Sequence, residues 1–249
     1  MNIIGITGSS GSGKTFFSKQ LAQNLENSKA INLDHIFFGI LNTDNEVINR
    51  IIQLYGKNAY DRSGYINVSA LQNLENFSFE DFFNSVKDKL DEKIVQIINE
   101  NEENNIDNLI LEWFMLPRTV AFEKSDYSIL VSPDEKDREN SLMQRDENDS
   151  PEKIKKRTQS VPINYEDYSY NMISQNTYTD GCFVPYIEYI KQRFSIRENY
   201  NIKNNQEIFT QNEIGKATIN TPTLLKDEEQ SIRFSEQLKV NSEKINIEK

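Results

Sequence analysis

The octapeptide Gly8-Ser9-Ser10-Gly11-Ser12-Gly13-Lys14-Thr15 satisfies G-x-x-x-x-G-K-S/T, the spacing of a phosphate-binding loop. Its glycines let the backbone curl so that successive N–H groups point at phosphate oxygens. An apolar run, NIIGIT, precedes it, and a helical pattern follows, so the start of a helix adds its positive end to the same spot. Lys14 then reaches the β- and γ-phosphates, and the Thr15 hydroxyl binds Mg²⁺. This predicts ATP and Mg²⁺ as the bound species. The loop alone does not choose among kinases, GTPases, motors and transport ATPases. A GTPase needs a guanine-reading N-K-x-D, and the chain has none. A chain this short and this acidic is a poor nucleic-acid motor, which leaves a kinase acting on a small molecule.

Three further places could serve that chemistry. Asp34 stands twenty residues after Lys14, where a second strand is expected to end. A carboxylate there could orient an acceptor hydroxyl and take its proton, or it could cap a following helix. His35, the only histidine, is read as structural. Glu112 ends the segment NLILE, either as an acid that holds the metal's water shell or as a surface acid at a strand end. Arg145, Lys153, Lys155, Lys156 and Arg157 gather positive charge around residues 146–150. A closing hairpin needs such charge over a transferring phosphoryl group, and Arg145 is the best candidate; the lysines read as a solvated helix face. Asp126 and Asp134 read as caps, Cys182 as an inert semi-buried thiol, and Trp113 as core.

The elements that must position these groups alternate. Strands are expected at Asn2–Thr7, Ala30–Leu33, Asn108–Glu112 and Tyr127–Val131. Helices are expected from Phe16 to about Asn27 and at Glu46–Tyr55, Phe79–Ile98, Asp134–Arg145, Pro151–Thr158 and Pro185–Phe194. Gly56–Asn67 reads as a loop with turn chemistry at Asp61–Gly64. The pattern predicts an α/β, three-layer P-loop NTPase fold with a parallel sheet and ligands at the strands' carboxyl ends. From about Asn199 the chain turns polar and loses periodicity. The expected organisation is a kinase domain over 1–198 and a polar tail over 199–249.

Of 249 residues, 37% are hydrophobic, enough for one sizeable core, and the formal net charge is −11. So negative a protein repels polyanions, so neither nucleic acid nor an anionic membrane is an expected partner. One cysteine excludes an internal disulfide and a Cys-rich metal site. With no leader pattern and no apolar run of membrane-spanning length, the expected setting is cytoplasmic.

With these residues in place, the chain resembles the dephospho-CoA kinases over about residues 1–195. IIGITGSSGSGKT resembles that family's opening, and AINLDHIF its second strand, whose final Asp is the family's base, here Asp34. YGKNAYDRSGYINVSAL resembles its glycine–turn segment. DYSILVSPDEKDRENSLMQRD resembles the strand and helix that lead to the lid, with Arg145 at the lid arginine. KKRTQS puts Gln159 at the family's glutamine, and MISQN puts Asn176 at its late asparagine, both nucleotide contacts. The resemblance implies a helical acceptor-binding cap over about 40–105, a lid over about 145–160, and phosphorylation of dephospho-CoA to coenzyme A. The chain departs from the pattern at Asn32, where the family has an Asp, at Val68, where it has an Arg, and at Asp91-Glu92, where it has His-Pro. All three lie on the acceptor side. The opening, the Asp and the strand-ending Glu are also similar to uridine and riboside kinases. A third alternative is a nucleotide-binding protein without turnover.

Overall fold

The computed structural model describes residues 1–145 and 163–203. In it NIIGIT forms β1 (Asn2–Thr7), the central strand of a five-stranded sheet. A strand with parallel neighbours on both edges and helices over both faces has no wet side, which is why this segment is apolar without alternation. Its neighbours are β3 (Asn108–Glu112) and β4 (Tyr127–Pro133). β2 (Ser28–Asn32) and β5 (Met172–Asn176) close the edges in the order β2-β3-β1-β4-β5, every pair parallel. Register brings Glu112 opposite Ile6 on one side and Asn32 on the other, so one carboxylate stands between two strand ends.

Alternation along the strands sends Ile4, Ile6 and Ile110 to one face and Ile3, Leu109 and Leu111 to the other. The first face is covered by α1 (Lys14–Asn24) and α8 (Val184–Lys203), through Phe17, Leu21, Ile187 and Ile190. The second is covered by α2 (Leu33–Thr43), α3 (Asn45–Tyr55) and α5 (Phe79–Glu103). The region expected as an acceptor-binding cap therefore shares a core with the sheet. Short helices α4 (Val68–Leu71) and α6 (Val120–Glu123) connect these elements, and α7 (Glu135–Arg145) follows β4.

The structure corrects the reading around Asp34. β2 ends at Asn32, and Leu33 and Asp34 open α2. Asn32 is the helix cap, its Oδ1 accepting the Asp34 N–H at 2.7 Å. Leu33, Phe37 and Leu41 recur every four residues along the buried side, a helical stripe inside what the sequence presents as one apolar run. β5 also emerges where only a nucleotide-contacting asparagine was expected. α8 continues to Lys203, past the expected domain end at 198. The expected helix at 151–158, nearly all of the lid and the tail beyond 203 lie outside the described residues. Among the described residues, no helix is long and apolar enough to cross a membrane.

Candidate active site

The loop Gly8–Thr15 leaves the carboxyl end of β1 and enters α1 at Lys14. Gly13 turns it with a φ of 89°, and a Cβ there would collide with the Asn176 amide nitrogen. Gly11 lies similarly close to α7, where a Cβ would meet Leu142 at 2.7 Å. Only glycine meets both the left-handed φ and these approaches. α1 has no side-chain cap and no acid in its first turn, so its N-terminal N–H groups remain available to an anion. The hydroxyls of Ser9 and Ser12 are buried and have no hydrogen-bond partner among the described residues. Buried donors without acceptors are costly, and phosphate oxygens would satisfy them.

Asn176, at the end of β5, supports this loop from behind. Its Nδ2 donates to the Ser12 carbonyl at 2.9 Å, and its Oδ1 accepts the Tyr178 N–H at 2.8 Å. The Tyr178 hydroxyl donates to the Gly11 carbonyl at 2.6 Å, from a backbone held at φ 55°. Asn176 thus holds the loop's backbone and also lines the cavity beside the loop, where the sequence reading expects a nucleotide contact. A cavity of about 370 Å³ opens beside the loop, lined by Gly13, Thr15, Phe16, Tyr178, Cys182 and Phe183.

The second half of the site is built on the end of β3. Glu112 is 1% exposed, and its Oε1 accepts the Thr15 hydroxyl at 2.9 Å and the Asn32 amide N–H. Its Oε2 is buried without a hydrogen-bond partner among the described residues. Burial pushes the Glu112 carboxyl above its usual range, and the charge of Asp34 adds to this, while the charge of Lys14 and the bonds from Thr15 and Asn32 oppose it. Lys14, Thr15 and Asp34, chosen from distant parts of the sequence, therefore all act on the Glu112 carboxylate. Asp34 accepts a hydrogen bond from the indole N–H of Trp113, the residue after Glu112. The carbonyl of the next residue, Phe114, accepts the hydroxyls of Thr7 (3.2 Å) and Tyr165 (3.0 Å).

The remaining candidates fall elsewhere. Arg145 is the last residue of α7, one turn beyond the Leu142 that meets Gly11. Gln159 lies outside the described residues, as do Lys153, Lys155, Lys156 and Arg157. His35 is exposed. Asp134 caps α7 through the Lys136 N–H, whereas Asp126 accepts the N–H of Ile3 and ties β1 to the start of β4. Of the acceptor-side departures, Asn32 joins Glu112 to α2, and Asp91 pairs with Lys87 and accepts the Val120 N–H at 2.9 Å at the start of α6. Val68 opens α4. The sequence reading missed Leu142 and Tyr178, noted Asn32 only as a departure from the family pattern, and took Trp113 only as core. Asn32 had a signal, an Asn just before a helical stripe; the other three did not.

Among the described residues, no three His, Cys, Asp or Glu side chains cluster into a metal cage. The donor set that is present, one hydroxyl and one carboxylate with an oxygen to spare, suits Mg²⁺, which completes its shell from water and phosphate oxygens.

The fold has relatives among solved structures. TT1252 from Thermus thermophilus aligns at a TM-score of 0.55 with 18% identity, over 81% of this chain and 97% of the other. The dephospho-CoA kinase of Campylobacter jejuni aligns at 0.45 with 21% identity, covering 78% and 97%. A sugar kinase from Janibacter sp. HTCC2649 aligns at 0.43 with 9% identity, covering 80% and 95%. No curated protein matches the sequence. The model of the dephospho-CoA kinase family matches residues 2–166, which hold the phosphate loop, Asp34 and the Glu112–Trp113 pair. A phosphate loop beside a strand-end carboxylate is shared by many nucleotide-binding proteins, and it is by the match over residues 2–166 that the chain belongs to the dephospho-CoA kinase family.

Proposed function

We propose that the protein transfers the γ-phosphoryl group of ATP to the ribose 3′-hydroxyl of dephospho-CoA, giving coenzyme A and ADP. The observation that carries this reading is Asp34, a carboxylate held by Trp113 and near enough to Glu112 for their charges to interact, at the carboxyl edge of the sheet, in a chain of this family. The loop backbone and the start of α1 hold the triphosphate, and the cavity beside the loop takes the rest of the nucleotide. Asp34 orients the acceptor hydroxyl and takes its proton as the oxygen bonds to the γ-phosphorus and the bond to the β–γ bridging oxygen breaks. Lys14 and Arg145 offset charge on the transferring group. Thr15 and Glu112 would hold Mg²⁺, which would neutralise negative charge on the phosphates.

A coupled assay of the purified protein with MgATP and dephospho-CoA tests this, with uridine and nicotinamide riboside as parallel acceptors. Turnover with dephospho-CoA alone is the expected result. Turnover with a riboside only moves the chain to the riboside kinases, and silence with all three removes the catalytic reading. Asp34→Asn should lower kcat by about 10²–10⁴-fold and leave the KM for ATP unchanged. Full turnover in that variant rules Asp34 out as the base.

A further inference from the structure

The hydrogen bond between Trp113 and Asp34 joins a fully buried ring to the group that meets the acceptor. Trp113 directly follows Glu112, and its backbone N–H donates to the Ile6 carbonyl at 3.0 Å, so the strand ladder continues through it. Its ring lies among Phe37, Phe83 and Phe114, with centroids at 5.2, 6.2 and 5.5 Å. With the backbone laddered and the ring enclosed, the direction of its N–H is fixed. The other end of Asp34 is fixed as well, since its backbone N–H bonds Asn32, whose amide in turn bonds Glu112. The dipeptide Glu112-Trp113 therefore grips the first turn of α2 at two points.

We propose that Trp113 is a positioning residue for phosphoryl transfer: its indole N–H holds one oxygen of Asp34 so that the other is presented to the acceptor hydroxyl. This rests on the reading of Asp34 as the base. The chemistry of indole suits the task, because its nitrogen donates and never accepts. It holds the carboxylate without competing for the proton that Asp34 must receive. A histidine or tyrosine in the same place would exchange protons with it. The bland alternative is a core tryptophan that satisfies its N–H on the nearest acceptor, with no bearing on turnover.

The test is a double-mutant cycle on the full chain with W113F, D34A and the pair, assayed with MgATP and whichever acceptor turns over. W113F keeps a ring and loses the donor. It is expected to lower kcat roughly 10–100-fold, the scale of a misplaced reacting group, with the KM for ATP within about twofold. Added to D34A, it should cost less than about twofold more, because its partner is already gone. An unchanged kcat in W113F, or the same loss in both backgrounds, overturns the proposal. A second measurement does not depend on turnover or on the folding of W113F. Trp113 is the only tryptophan in the sequence, so the intrinsic emission of the protein reports this indole alone. Emission is expected to differ between wild type and D34A, and coincident spectra overturn the contact. If no acceptor turns over, the proposed reaction fails while the emission comparison still decides whether Trp113 holds Asp34.

Discussion

Glu112 is a buried acid on which four other site residues act, and that charge has a cost to the fold. Burial raises its pKa above the ordinary 4.5, so the folded chain holds the proton more tightly than the unfolded chain does. Its contribution to stability therefore falls as pH rises from about 4.5 through the raised value. Glu112→Gln should remove that slope. At pH 7 without nucleotide, the variant is expected to melt above wild type by circular dichroism. The same variant should lose Mg²⁺-dependent turnover, which marks a residue kept for function at the expense of stability. A melting temperature equal to or below that of wild type refutes the assigned cost. Of the site residues, those in the loop were legible because the motif fixes their roles by spacing. The place of Glu112 was legible because a strand ending in an acid is a local pattern. The indole that holds Asp34 was not, since no periodicity tells a core tryptophan from one that also donates a hydrogen bond.

Between elements, the loop depends on β5 and on the turn that carries Tyr178. Asn176→Ala removes the Nδ2 bond to the Ser12 carbonyl and the Oδ1 bond that turns the chain into Tyr178. Losing a buried polar pair of this kind costs about 1–3 kcal/mol. The expected outcome is a rise of at least about tenfold in the KM for ATP with a smaller loss of kcat, since the loop would loosen while Asp34 stays in place. Titration calorimetry with a non-hydrolysable triphosphate checks this, and unchanged affinity counts against Asn176 as the support. The same contacts explain why some elements were legible and others not. β1, β3 and β4 announce themselves because strands covered on both faces are continuous apolar runs. α2 was hidden because IFFGIL at its centre is also a continuous apolar run, and only the four-residue spacing of Leu33, Phe37 and Leu41 separates helix from strand. β5 was hidden because an edge strand of mixed residues, MISQN, owes its conformation to pairing with β4. Propensity cannot supply a partner that lies more than forty residues away.

Across the whole molecule, the described site groups lie between Gly8 and Phe183, and α8 carries the described chain to Lys203. We place the end of the kinase unit after that helix. A chain ending at Lys203 should keep kcat and the KM for ATP within about twofold of the full chain, well under the tenfold that 1.4 kcal/mol would produce. A larger loss assigns residues 204–249 a part in the reaction. The sheet order has a further consequence. β1 lies between two strands made much later, Asn2 pairing with Asn108 and Ile4 with Tyr127. The loop it carries is braced by Asn176 and Tyr178, 164 and 167 residues further on. At ribosomal speeds of about 5–20 residues per second, roughly ten to thirty seconds separate the synthesis of Gly11 from that of the tyrosine that braces it. The phosphate loop is translated 164 residues before the asparagine that braces it, so a nascent chain stalled before Tyr178 should carry the whole motif and bind ATP poorly.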